Sequence, residues 1–286
     1  MLLTTFVFLG ASYISFPERV QTQTFSGKSG EQLEIFTPSI HFVAAVTYFD
    51  PQKTSIFVAS PSQSPLENIG SDRAFYFPYG NSKIVLNFIK DSEVVINFAA
   101  IPSTACRSGI EVIINESHKL DIVASENLVD RCYFFAYPSD KHRFKVVENR
   151  LKQGTKLCTF HDYVNDNPYS CYTVGSSTST AYEPGGGSSA PWIFRLTTGS
   201  ETDISPTNSI HVDLLATIKK EEYRPVEPFI GQPKRFNQPV VDKYYKKWWI
   251  PVVGAISPLF LLISWVVTFV KLLSKRPINK EDEIAP

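Results

Sequence analysis

The residues of this chain best suited to covalent, metal or acid–base chemistry are four cysteines, five histidines and scattered carboxylates. His41, His118, His142, His161 and His211 fall in separate apolar runs and turns. Only His161-Asp162 is suggestive, because it lies in HDYVNDNPYSC beside Asn165, Asp166 and Asn167. A histidine–carboxylate pair can act as a base, and such oxygens can hold a hard cation like calcium. The spacing matches no cation loop, however, and Asn, Asp and Pro are what a tight turn between two cysteines uses. The sequence has no G-x-S-x-G elbow, no H-E-x-x-H and no G-x-G-x-x-G between a strand and a helix. The GGG of residues 185–187 is not followed by GK[ST], so it cradles no phosphate. No catalytic residue, cofactor site or metal site is therefore assigned.

The cysteines tell more. Cys106, Cys132, Cys158 and Cys171 have no CxxC or matched Cys/His spacing, which removes zinc. An even number in an exported chain suggests two disulfides. Of the three pairings, Cys106 with Cys132 and Cys158 with Cys171 is favoured, since each pair brackets a compact segment. Asn115-Glu116-Ser117 is an N-glycosylation sequon between two β-like runs, so its asparagine is expected in an exposed turn. A dense aromatic patch, Phe75-Tyr76-Phe77-Pro78-Tyr79, is a candidate platform for a protein or carbohydrate ligand through Phe75, Tyr76, Phe77 and Tyr79. Lys plus Arg equals Asp plus Glu at 28 each, so no bulk field points to nucleic acid.

The elements that must position these groups read as short β runs between residues 31 and 218. In KIVLNFIKDSEVVINFAAI, residues 83–101, Ile84, Leu86 and Phe88 alternate on one face and Val94, Ile96 and Phe98 on the return, as in a hairpin. The same pattern predicts a second hairpin, Ile110–Ile114 against Leu120 and Ile122, and a third, Tyr133–Tyr137 against Phe144–Val147. Ten or so such runs suit an all-β ectodomain, an antiparallel β-sandwich or jelly roll, as one large domain or two sub-domains. Residues 175–191, GSSTSTAYEPGGGSSAP, have too few apolar groups to order themselves and are expected to form a flexible loop. From 219 to 247, Pro225, Pro228, Pro233 and Pro239 alternate with charges, which predicts a partly polyproline-II stalk.

Both ends of the chain bear on the compartment. Residues 248–270 carry no charge, and at about 1.5 Å per residue they reach about 35 Å, enough for a transmembrane helix. Tyr244, Tyr245, Trp248 and Trp249 suit an interfacial aromatic belt. Basic residues hardly set the orientation: Lys243, Lys246 and Lys247 precede the span, while Lys271, Lys275, Arg276 and Lys280 follow it. Residues 1–15, MLLTTFVFLGASYIS, decide instead, because they read as a signal peptide with cleavage after Ser12 or Ser15, although the n-region lacks Lys and Arg. The expected layout is signal 1–15, β region 16–218, stalk 219–247, span 248–270 and cytoplasmic tail 271–286. Within the span, Gly254, Ser257, Leu261, Ser264 and Thr268 recur at three and four residues, a seam for a partner helix or a homodimer.

These features describe a type I single-pass glycoprotein, at the cell surface or in an endomembrane, with its N-terminal domain outside. Its partners are expected to be a protein or carbohydrate ligand, membrane lipid and a helix within the membrane, with no nucleic acid. Binding is favoured over catalysis. The competing functions are a membrane-tethered hydrolase with an unrecognised active site and an accessory subunit acting through its transmembrane helix.

Overall fold

A computed structural model describes residues 12–15, 21–36, 41–59, 67–70, 72–77, 82–102, 104–124, 128–160, 167–184, 191–199, 206–217, 226–236 and 264–271. The chain forms two compact units, Met1–Gln238 and Pro239–Pro286. The first unit is all-β and holds four sheets. Sheet I runs β1 (Ser12–Ser15), β3 (Gln32–Phe36), β8 (Lys83–Phe88), β5 (Thr54–Ala59) and β6 (Glu67–Asn68). Sheet II runs β2 (Gln21–Gly27), β9 (Ser92–Ile101), β4 (His41–Tyr48), β7 (Ala74–Phe77) and β20 (Lys234–Arg235). Sheet III runs β15 (Ser170–Tyr172), β14 (Thr155–Phe160), β17 (Trp192–Thr198), β12 (Asp130–Phe135), β10 (Gly109–Ile114) and β19 (Phe229–Gly231). Sheet IV runs β11 (Ser117–Val123), β18 (Ser209–Thr217), β13 (Lys141–Asn149) and β16 (Glu183–Pro184).

The three expected hairpins have the right strands but the wrong partners. β8 lies in sheet I and β9 in sheet II, β10 in sheet III and β11 in sheet IV, β12 in sheet III and β13 in sheet IV. Each connection is a crossing between facing sheets rather than a turn within one. Alternation says which side chains share a face, and a hairpin and a crossing satisfy it equally well. Neither of the shorter connections, Ile89-Lys90-Asp91 and Asn115-Glu116, has the Asn-Gly or Asp-Gly that a tight two-residue hairpin favours. Pairing is mostly antiparallel, with parallel contacts at β1–β3, β10–β12 and β7–β20.

Sheets I and II face each other across one core, in which Phe42, Ala44 and Val46 of β4 and Val94, Ile96 and Phe98 of β9 join Ile56, Ile84 and Leu86. Phe42 stacks on Phe77 and Phe98 at 5.2 and 5.6 Å between ring centroids. The opposite face of sheet II is also covered. Val43, Ala45, Ala74, Ala99 and Ile101 belong to the core built by sheets III and IV. This explains why β4 and β9 carry near-continuous apolar runs, the pattern of strands buried on both sides. In the second core, Phe144 lies edge-on to Trp192 and Phe194 at 5.1 and 5.4 Å, pairs that add about 1 kcal/mol each beyond the area they bury. A buried polar tie crosses between the sandwiches, where the Asn97 amide donates to the Ala136 carbonyl.

Two segments expected to lie outside the folded region are part of it. The Gly/Ser-rich stretch is tied to β13 over its first half: the Ser179 N–H donates to the Val146 carbonyl at 2.8 Å, and β16 pairs with Arg143 and Phe144. Its residues 185–190 lie outside the described residues. Residues 226–236 of the expected stalk form β19 and β20, which finish sheets III and II. Pro228 falls just before β19 and Pro233 between the two short strands, where an N–H is not needed, and Phe236 is buried against Phe75 and Phe77.

At the N-terminus, Ser12–Ser15 of the expected signal forms β1, paired in parallel with β3. The second unit contributes a short helix, α1 (264–271). Among the described residues no helix is long and apolar enough to cross a membrane. Residues 237–263, which hold most of the expected span, lie outside the described residues.

Phe236 is the apolar peg that holds the β19–β20 strap. Phe236→Ala is expected to cost about 3 kcal/mol of unfolding free energy in urea. It should also raise the amide exchange of residues 229–235 before that of β4 or β9.

Candidate functional site

The strand alternation that fills the two cores also builds a cleft between the sandwiches. In sheet II, Val43 of β4 stands opposite Tyr76 of β7, and Tyr76 opposite Arg235 of β20. Residues in register share a face, and His41 shares it too, two residues from Val43. That face looks toward the second sandwich. Phe75, Phe77 and Phe236, one residue out of step, enter the first core instead. Where the Val/Ala contact between the sandwiches ends, His41, Tyr76 and Arg235 meet the loop leading to β10. The result is a cavity of about 320 Å³, also lined by Cys106, Arg107, Gly109, Gln232 and Pro233.

The disulfide sets the loop. Cys106, in the left-handed region at φ 57°, is bonded to Cys132 of β12. Gly109 at φ 123° then leads into β10, a conformation that a side chain there would strain. Arg107 projects from this turn, exposed, with its Nε donating to the Thr104 carbonyl at 3.1 Å. Arg235 is exposed as well, with its guanidinium 5.8 Å from the Tyr76 ring. His41 Nδ1 lies 3.3 Å from the Tyr76 hydroxyl. Among the described residues no carboxylate lines the cavity and neither arginine forms a salt bridge. A second hollow, about 280 Å³, holds Arg73, but there Glu227 pairs with the guanidinium, which also rests 4.6 Å from the Phe49 ring.

The cleft holds uncompensated positive charge, and it has consequences for His41. Burial first, and the Arg235 charge second, push its pKa down. His118 is lowered too, mainly by burial, with Glu111 and Asp121 acting in the opposite direction. Chemically the arrangement offers two guanidinium forks, an imidazole, a phenol and an amide around one small space. No group of three metal-ligating side chains occurs among the described residues.

The residues singled out from sequence distribute as follows. Both disulfides are closed, Cys106–Cys132 beside the cleft and Cys158–Cys171 directly across the β14–β15 pair. The aromatic patch is no exposed platform: Phe75 and Phe77 are buried, because alternate residues of β7 must face opposite sides of sheet II. Of the three described aromatics Tyr76 reaches the cleft, and Tyr79 lies outside the described residues. Asn115 is half-buried in the β10–β11 crossing, followed by exposed Glu116 and Ser117. Of the membrane seam, Gly254, Ser257 and Leu261 lie outside the described residues, whereas Ser264 and Thr268 are exposed on α1. There the Thr268 hydroxyl donates to the Ser264 carbonyl at 2.6 Å, a bond within the helix itself. His161 and Asp162 also lie outside the described residues. Sequence reasoning missed His41, Arg107 and Arg235 as a set, since they come from distant segments. The local signals were Arg107 immediately after a cysteine and a Lys-Arg-Phe in a proline-rich stretch.

No family model matches the chain, and no curated protein matches it. Among solved structures the chain is similar to the CUB1-EGF-CUB2 domains of rat MASP-1, at 7% identity and a TM-score of 0.27, covering 72% of this chain and 100% of that one. It is also similar to a chain of the broad bean stain virus, at 10% identity and a TM-score of 0.17, covering 83% of this chain and 100% of that one. Scores that low carry no functional weight.

The lowered His41 pKa has a definite sign. The unfolded chain takes up a proton near the ordinary value of about 6.5, and the folded chain only at lower pH. The contribution of neutral His41 is therefore full above that value and is lost as pH falls below it. Thermal unfolding between pH 7 and pH 5 should show a smaller drop in Tm for His41→Gln than for the parent, with His118 supplying part of what remains.

Proposed function

We propose that the chain is a type I single-pass membrane glycoprotein whose β region, held outside the membrane, binds another macromolecule. The observation that carries this reading is the cleft between the sandwiches: two exposed guanidinium groups in one concavity with no carboxylate among its described lining residues. Uncompensated charge in a concave site raises the local concentration of an oppositely charged partner. It contributes little to the fold itself, because like charges repel. Both disulfides lie in the β unit, which suits an oxidising compartment. The sequon follows β10 in a crossing whose next two residues are exposed, where a glycan at Asn115 can leave the surface. The apolar stretch 248–270 then serves as the anchor, with exposed Trp265 and Phe269 of α1 suited to lipid contact.

β1 refines where the signal ends. Cleavage after Ser15 would remove it and leave β3 as an open sheet edge, which natural sheets avoid. Cleavage after Ser12 keeps three of its four residues. Sequencing of the mature chain should accordingly begin at Tyr13, and a start at Phe16 would argue that sheet I does without β1.

The full chain made in animal cells tests the whole arrangement. Endoglycosidase should lower its apparent mass by one glycan, and Asn115→Gln should abolish that shift. Proximity labelling from a peroxidase on the β unit should recover surface or luminal proteins. Recovery of cytosolic proteins alone would refute the reading.

A further inference from the structure

The cleft that motivates the proposed function also restricts what can occupy it, and the following inference rests on that reading. We infer that the site bounded by His41, Tyr76, Arg107 and Arg235 takes a single anionic sugar, such as the acidic terminal residue of a glycan, with its carboxylate or sulfate ester between the two guanidinium groups.

Size and charge decide against the larger anions. A cavity of about 320 Å³ lies at the lower limit of small-molecule sites, which span about 300 to 1,000 Å³. It admits one sugar residue with its substituent and little more. A nucleic acid is gripped through a long series of phosphates, commonly about 6 to 10. Here two arginines line the cavity, and the nearest further cation along the strap, Lys234, is committed to Asp72 at 3.1 Å. Two guanidinium forks match one oxyanion, and planar delocalised Arg suits carboxylate and sulfate geometry better than a point charge does.

The remaining lining suits a polyol. The Gln232 amide, the Tyr76 hydroxyl and the imidazole of His41 offer both donors and acceptors to ring hydroxyls. Ile110, Pro233 and the Tyr76 ring present apolar surface for the C–H face of a sugar. The pieces come from three parts of the fold: sheet II supplies His41 and Tyr76, the disulfide-bonded loop supplies Arg107, and the strap supplies Gln232 and Arg235. Each is fixed by contacts that do not involve the ligand, namely the Cys106–Cys132 bond and the buried Phe236.

Binding to the full chain in detergent micelles, followed by saturation-transfer NMR and thermophoresis, tests the assignment. The probes are sialyllactose for the carboxylate, 6-sulfo-N-acetyllactosamine for the sulfate, lactose as the uncharged control, and inorganic sulfate and a phosphoserine peptide as bare and peptide-borne anions. At least one acidic sugar should bind ten-fold or more tightly than lactose, sulfate and the phosphopeptide, and which of the two wins identifies the anionic group. Arg107→Ala and Arg235→Ala should each weaken that sugar ten-fold or more, and the Lys variants should retain part of the affinity. Thermal unfolding of each variant should match the parent. Equal binding of lactose, tighter binding of sulfate or phosphopeptide, or unchanged affinity in a folded double variant would overturn the inference. These outcomes are independent of topology: a β unit found in the cytosol would sink the proposed function while leaving the measured sugar affinity intact.

Discussion

The structure depends on one sheet being buried on both faces. Sheet II sends its large side chains, Phe42, Phe75, Phe77 and Phe98, into the first core. Its small ones, Ala45, Ala74 and Ala99, with Val43 and Ile101, go into the second. Large residues fill the space between sheets about 10 Å apart. Small ones allow the second sandwich to approach the back of the first. This asymmetry makes one β unit of what would otherwise be two beads on a string. It also fixes where the cleft must open, at the point where the small residues give way to His41, Tyr76 and Arg235.

The same alternation explains how far the sequence could be read. Strands such as β8, β9 and β10 announce themselves by residues two apart with matching character, and their existence was legible residue by residue. Partners were not. Ile84, Leu86 and Phe88 face Val94, Ile96 and Phe98 across a core in the structure, whereas a hairpin would have set them side by side; the one-dimensional pattern is identical. The double apolar character of HFVAAVTY was the clue that β4 has two covered faces. The disulfide pairs were accessible from spacing because each closes a short loop, with partners 26 and 13 positions apart in the sequence.

The site was the least legible part for a related reason. Arg235 becomes the neighbour of Tyr76 only through a parallel pairing of two-residue β20 with β7, a contact with no local signature. The proline-rich setting of β20 argued for an extended stalk, and only the burial of Phe236 overrides that preference. The aromatic patch was informative once its parity was known. Two phenylalanines pack the core so that the tyrosine between them can carry a hydroxyl to the polar side of the sheet.

The strap has a further consequence, for the order of events during synthesis. Sheets II and III each lack an edge until β20 and β19 arrive, and these are the last strands of the unit to leave the ribosome. Contacts of such long sequence separation form late, because the chain must close a very large loop to make them. Until then β7 and β10 present open edges, and the arginines of the cleft are far apart. An intermediate with both disulfides formed and the strap undocked is thus the natural precursor of the finished fold.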